Sequence, residues 1–292
     1  MVVVSLWLGL LAAVLYAASA LLVKRAADLG VGLWRSAFLA NITTALLFQP
    51  FWLLGGTLHP EWWWQPLLTA ACFVCGQWLT FLSLEKGDVS VATPVLGIKI
   101  LLVAVLVSWL GGGGVGWRIW VAAVLATAGV ALINRSGRGQ AHHHVGRTIL
   151  TAGLAATAYA LFDVLVQRWT PAWGVGRFLP ITLAIGGTMS LGYVTRFRAP
   201  LREIPRSTWP WLAGAIGLMG LQSLTITGTI AYWGNAAAVN VVYSSRGLWS
   251  VVLVWLVGHW VKNREQQLGG EVLRVRLVGA VLMLAAIALV LV

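Results

Sequence analysis

The sequence predicts an all-α integral membrane protein of ten transmembrane helices, arranged as two inverted five-helix repeats. Three observations predict it. Hydrophobic residues make up 59% of the 292 and charged residues only 10%, with a mean hydropathy of +0.85, whereas a soluble domain carries about 25% charge. Apolar runs of about 20 residues, the length that crosses a hydrocarbon core of roughly 30 Å, recur along the whole chain. The order of marker residues in the first half also recurs in the second.

The first run, MVVVSLWLGLLAAVLYAASALLV, lacks the positive n-region of a cleavable signal and is long enough to span, so residues 3–23 are read as the first helix. Breaks at charged, Gly and Pro residues then give spans at 34–54, 63–84, 89–110, 117–134, 147–167, 177–195, 209–233, 236–258 and 274–292. Each is expected to be helical, because backbone polar groups in lipid must be satisfied within the segment. Little chain is left for a soluble domain.

The halves, 1–140 and 141–292, correspond residue by residue at several places. Tyr16-Ala17 in the first span matches Tyr159-Ala160 in the sixth, and Arg35 opens the second span much as Arg177 opens the seventh. Arg118 precedes the fifth span as Arg276 precedes the tenth. Laying GDVSVATPVLGIKILLVAVLVSWLGG on GNAAAVNVVYSSRGLWSVVLVWLVGH puts Lys99 against Arg246. With five spans per half, the second half enters the membrane from the opposite side, and mid-depth residues of matching helices approach across a pseudo-two-fold axis.

Lys99 and Arg246 are the strongest functional signal. Each lies about ten residues, or roughly 15 Å of helix, from the nearer span end, too far to snorkel easily. Intramembrane charges face bundle interiors or watery cavities. Two facing cations make a site for an anion, with Arg gripping a carboxylate or phosphate bidentately and Lys acting as a point charge. Asp163, one turn after Tyr159, is the carboxylate placed well inside a span; it is expected to pair with Lys99 or Arg246 or to carry a coupling proton, the plain alternative being a pair with Arg168. Tyr243 and Ser250 share a helical face with Arg246, beside Trp249, and Gln222, Thr225 and Thr229 form a polar stripe on the eighth span that either lines the cavity or glues helices together. Tyr16 and Tyr159 are candidates to place hydroxyls in the cavity.

Other features have plainer readings. The formal charge of +12 sits in short loops between apolar runs and orients the chain, so nucleic acid is not an expected partner. Cys72 and Cys75 form a lone CxxC inside an apolar run and read as packing. The eighteen Trp, including Trp62-Trp63-Trp64, read largely as interfacial anchors. His142-His143-His144 read as a solvated loop, and Gly111–Gly114 as a turn with no GK[ST] after it. No Ser/His/Asp set, zincin helix or nucleotide fingerprint is found, so neither catalysis nor a cofactor or metal is expected.

Tyr16, Lys24, Arg35, Pro94 and Gly129 fall where a five-helix unit has a Tyr in its first helix followed by Lys, an Arg opening the second, a Pro in the fourth and a Gly-rich fifth. On these residues the chain resembles the drug/metabolite transporter superfamily, specifically its EamA-like ten-helix members. One departure is the absence of an acidic residue after the fourth helix, where SWLGGGG and VGHW stand. The resemblance implies a secondary transporter working by alternating access, and phosphate-sugar translocators of the superfamily hold anions with basic residues in their fourth and ninth helices. The expectation is a small organic anion, carboxylate- or phosphate-bearing, held by Lys99 and Arg246. The alternatives are an exporter of amino acids or hydrophobic metabolites, a flippase for an anionic polyprenyl or phospholipid, and a non-transporting membrane scaffold or intramembrane enzyme.

Fifteen of the twenty Lys and Arg lie in odd-numbered loops. Positive-inside bias therefore puts the odd loops in the cytoplasm of a plasma-membrane protein and both termini outside, against the orientation that the resemblance implies. Lipids, a small-molecule substrate and a coupling proton are the expected partners.

Overall fold

A computed structural model describes residues 2–86, 89–110, 114–133, 145–257 and 270–291. Asp88, Gly111–Gly113, the cations Arg135, Arg138, Lys262 and Arg264, the His142–His144 triplet and the 140/141 half boundary lie outside the described residues. The described chain consists of α1 (Val2–Asp28), α2 (Leu33–Phe48), α3 (Trp64–Lys86), α4 (Val89–Gly97), α5 (Lys99–Leu110), α6 (Trp117–Ile133), α7 (Val145–Trp173), α8 (Val175–Met189), α9 (Trp209–Trp233), α10 (Ala236–Tyr243), α11 (Arg246–Val257) and α12 (Gly270–Leu291). 3₁₀ stretches of six and seven residues extend α2 to Leu54 and α8 to Arg196.

Eight helical segments among the described residues are long and apolar enough to cross a membrane. The fifth expected span, Trp117–Ile133, has 17 residues and is shorter. The ninth, expected as one helix over 236–258, is two: α10 and α11, separated by Ser244 and Ser245. The fourth span divides at the matching place, with Ile98 between α4 and α5.

The two breaks have local causes. Pro94 lies inside α4 and has no N–H to give the preceding turn, and the backbone then tightens, with Ile98 N–H donating to Val95 O at 3.1 Å. In the other half, Ser244 Oγ donates to Val241 O at 2.6 Å and Ser245 N–H to Val242 O at 3.1 Å, so side chain and backbone compete for the same turn's carbonyls. Lys99 and Arg246 are thus the first residues of the second half-helix in each case.

Packing exchanges between the halves. α1 lies along α9 as α7 lies along α3; α2 meets α9 as α8 meets α3; α11 meets α1 as α5 meets α7; and α6 packs on α12. Small residues permit the close approaches that lipid, lacking a hydrophobic drive between helices, requires. Ala12, Ala13 and Ala17 of α1, Ala122, Ala123 and Ala126 of α6 and Ala152, Ala155, Ala156 and Ala160 of α7 are fully enclosed. At the α6–α12 crossing a Cβ on Gly129 would lie 2.8 Å from Gly279 O, so the backbones touch with nothing between them.

The ends of the spans meet in two separate sets. Arg35, after the first span, donates to Pro200 O at 3.5 Å, and Arg198 reaches Glu85 at 3.4 Å, joining the first, third and seventh connections. Thr57 N–H donates to Trp173 O at 2.8 Å and Arg177 to Trp52 O at 2.9 Å, joining the second and sixth.

Candidate functional site

Lys99 Nζ stands 2.7 Å from Asp163 Oδ2, and Asn240 Nδ2 donates to the same oxygen at 2.7 Å. Asp163 is 4% exposed and Asn240 2%. One carboxylate therefore joins α5, α7 and α10. Arg168, the alternative partner for Asp163, is instead turned outward and donates to Leu110 O.

Arg246 is held differently. Its guanidinium lies over the ring of Tyr16 at 4.8 Å and over that of Tyr243 at 4.6 Å, and the two rings meet edge to face at 6.0 Å. Cation–π contacts of this kind contribute about 0.5–2 kcal/mol. Among the described residues no carboxylate pairs with it. Lys99 likewise lies over Tyr159, at 5.8 Å. The three expected tyrosines are thus at the site, their faces turned to the cations.

Two adjoining cavities share Tyr16, Lys99, Tyr243 and Arg246 on their walls. The first, about 360 Å³, runs from Asp163 and Tyr159 between α1, α2, α3 and α9 toward Val23, Leu33, Leu84 and Ile216. Phe73, Phe81 and Phe162 give it aromatic walls and Asn41, Thr44, Gln77, Gln222, Ser223 and Thr227 polar ones. The second, about 420 Å³, runs between α1, α4, α6, α11 and α12 and takes in Lys24, Thr93, Ser244, Ser250 and Arg276. The first extends toward the connections after the first, third and seventh spans, and the second toward Lys24 at the end of α1 and Arg276 near the start of α12.

The opposite end is shut. Trp173 is fully buried there, its Nε1 donating to Gln65 Oε1 at 2.9 Å, with His59 Nε2 3.2 Å from Ala172 O. Gly56 and Gly174, at φ 126° and 77°, let the second and sixth connections interlock; a Cβ on Gly174 would lie 2.8 Å from Gly56 Cα.

Of the expected site residues, Lys99, Arg246, Tyr16, Tyr159, Tyr243, Asp163 and Gln222 come together at the first cavity, and Ser250 lines the second, its Oγ donating to Arg246 O at 2.8 Å. Thr225 and Thr229 are on neither wall. Each hydroxyl donates to the carbonyl four residues back, Thr225 to Leu221 at 2.7 Å and Thr229 to Thr225 at 2.6 Å, so their stripe is satisfied within the helix.

Asn41, Gln77 and Asn240 are site residues that the sequence reading did not single out. Asn41 Nδ2 donates to Gln77 Oε1 at 2.7 Å and Gln77 Nε2 returns to Asn41 Oδ1 at 3.0 Å, a closed amide pair to which Tyr193 OH adds a bond at 2.9 Å. A signal for Gln77 existed: Gln77-Trp78-Leu79-Thr80 of the third span repeats as Gln222-Ser223-Leu224-Thr225 of the eighth, and both glutamines line the first cavity. Asn240 falls opposite Thr93 in the half-to-half register, so both positions are polar. Among the described residues no three His, Cys, Asp or Glu side chains gather as a metal site.

This geometry, a charged chamber enclosed by the helices of the described residues, agrees with what comparison shows. Residues 3–135 match the EamA-like transporter family. The EamA match covers the first five spans, where Tyr16, Arg35, Pro94 and Lys99 lie, and it points to a multi-pass membrane transporter of the drug/metabolite type. A comparison with curated proteins found no match. The fold of nearly the whole chain is shared with a solved crystal structure, at TM-score 0.77 and 16% identity, covering 99% of this chain and 98% of that one. At that identity the likeness is one of fold.

Proposed function

We propose that the protein is a secondary transporter that carries a small organic anion by alternating access between two inverted EamA-like halves of five spans each. The observation that carries this reading is the unequal treatment of the two cations. Asp163 neutralises Lys99 at 2.7 Å, while Arg246 stands between two tyrosine faces in the same chamber with no carboxylate beside it among the described residues. A guanidinium that lines an enclosed chamber with aromatic faces as its neighbours is costly to hold charged, and an anionic ligand that brings a counter-charge recovers that cost on binding. The aromatic and amide walls of the first cavity receive the organic body.

The exchange of contacts between halves, the matching breaks in the fourth and ninth spans and the two separate sets of connections support the ten-span inverted arrangement. The first cavity extends toward the odd-connection ends of α1, α3 and α9 while the Trp173 layer closes the other side, which supports reading this as one end-state of alternating access. By charge bias the odd connections are cytoplasmic, so this state faces inward. Asp163 serves as the counter-charge that a proton displaces, which would release Lys99 toward the ligand.

The test is a thermal-shift series on the purified protein with benzoate and phenyl phosphate as anions and benzyl alcohol as their neutral counterpart, since a ligand stabilises by mass action. The anions are expected to raise the melting temperature of the wild type and to have no effect on Arg246→Gln. Stabilisation by benzyl alcohol alone, or anion shifts that survive Arg246→Gln, would replace this reading with that of an exporter of neutral metabolites.

A further inference from the structure

The proposed function gives the cations a ligand but leaves one wall of the first cavity without a task. Thr44 of α2 and Gln222, Ser223 and Thr227 of α9 line that wall. Gln222 is 8% exposed, and Thr44 and Thr227 are buried as well, yet among the described residues none of the four has a hydrogen-bond partner. Their neighbours behave otherwise. Thr225 and Thr229 on the same helix, and Ser36 and Thr80 elsewhere on the cavity wall, each donate to the carbonyl four residues back. A helical hydroxyl that does not bond back, and an amide that pairs with nothing, keep their full hydrogen-bonding capacity for a ligand.

The two halves treat their matching glutamines differently. Gln77 closes a two-bond ring with Asn41, which stands six residues after Arg35. Six residues after Arg177, which opens the corresponding span of the second half, stands Leu183, a buried apolar side chain. Gln222 therefore lacks the partner that Gln77 has. What it faces instead is the seam between α2 and α9. Gly220, two residues before it, lets α2 come close, and Thr44 Oγ1 lies 3.7 Å from where a Cβ on that glycine would stand. A buried amide that forgoes its own bonds is costly to keep, and a ligand that supplies them removes that cost.

Resting on the reading of the protein as an anion carrier, we infer that the α2–α9 seam is a second recognition site, where Gln222, with Thr44, Ser223 and Thr227 around it, reads a neutral carboxamide on the organic body of the anion. Gln222 presents a donor and an acceptor side by side, the complement of another amide, and the bonds of 2.7 and 3.0 Å between Asn41 and Gln77 are that pairing already made inside the chain. The three hydroxyls donate or accept as the ligand requires. Phe73, Phe81 and Phe162 cover the apolar middle of the molecule. The substrate class narrows to organic anions with an amide-bearing far end. A purely apolar tail would leave Gln222 unpaired, and a mismatch of that kind discriminates more strongly than a missing methylene does.

The experiment is isothermal titration of the purified full-length chain in detergent with 4-carbamoylbenzoate and 4-isopropylbenzoate, anions of one charge and similar size that differ in whether the far end can form hydrogen bonds. Wild type is expected to bind the carbamoyl compound at least about tenfold more tightly. Gln222→Met, which keeps the bulk of the side chain and removes the amide, should lose most of that preference while its affinity for 4-isopropylbenzoate stays within about threefold. Thr227→Val, a smaller change, should lose part of the preference in the same way. Equal wild-type affinities for the two anions, or variants that weaken both alike or neither, would overturn the assignment. The anion reading fails separately, on Arg246→Gln: a variant that binds both compounds as wild type does retires that reading, and a carbamoyl preference that persists in it and depends on Gln222 keeps the seam.

Discussion

Lys99 and Asp163 form an ion pair across three elements: Nζ of the first residue of α5 meets Oδ2 in the middle of α7 at 2.7 Å, with Asn240 of α10 donating to the same oxygen. The pair ties the break of the fourth span to that of the ninth through one carboxylate. It also converts what two facing cations would have been into one neutralised lysine and one available arginine.

Removing one member leaves the other uncompensated. Asp163→Asn is expected to destabilise the protein by about 3–5 kcal/mol, and Lys99→Met by a similar amount, whereas the double replacement should recover most of the loss. Thermal unfolding in detergent of both single variants and the double variant reads this as a coupling energy. Single variants that melt with the wild type would show that the pair contributes nothing to stability.

The amide pair makes a similar claim without charge. Asn41→Leu should leave Gln77 Nε2 without its acceptor, Oε1 keeping the Tyr193 hydroxyl, and cost about 1–3 kcal/mol. Tyr193→Phe, which removes one hydroxyl shared between Gln77 Oε1 and Val74 O, should cost less, about 0.5–1.5 kcal/mol. The order of the two melting temperatures checks the network.

At the α6–α12 crossing, Gly129→Ala would place a methyl 2.6 Å from Met283 Cγ and 2.8 Å from Gly279 O. The methionine side chain can turn aside but the carbonyl belongs to the opposing backbone, so the helices must part, at a cost of about 1–3 kcal/mol. Gly153→Ala, which meets nothing within 4 Å, is the matched control and should be neutral.

Orientation is testable with single cysteines in a Cys72→Ala/Cys75→Ala background. Ser207→Cys lies on the seventh connection and Glu61→Cys on the second, and both positions are exposed. In right-side-out vesicles a membrane-impermeant maleimide should label Glu61→Cys and spare Ser207→Cys. The reverse pattern would place the odd connections outside and overrule the charge bias.

Much of this arrangement was legible in the sequence, because its signals are of the kind that a linear pattern preserves. Apolar runs located the eight helical segments long enough to cross a membrane, and Lys99 and Arg246, matched in the half-to-half register, line one chamber with Tyr16 and Tyr159. What a pattern does not carry is where a chain bends and which partner a side chain selects. The 236–258 run reads as continuous, yet two serines that bond back to their own helix divide it. Asp163 had three basic candidates in sequence, and only the packing of α5 on α7 decides for Lys99. Asn41 and Gln77 sit in runs whose hydrophobicity hides them, and they become a site only when α2 and α3 face one cavity.

The central claim is that Arg246 carries the anion. Isothermal titration of phenyl phosphate into wild type and Arg246→Gln tests it most directly, because a charge-assisted contact contributes about 1.5–3 kcal/mol. The account predicts at least about a tenfold loss of affinity in the variant with its fold intact by circular dichroism, and equal affinity of the two proteins would contradict it.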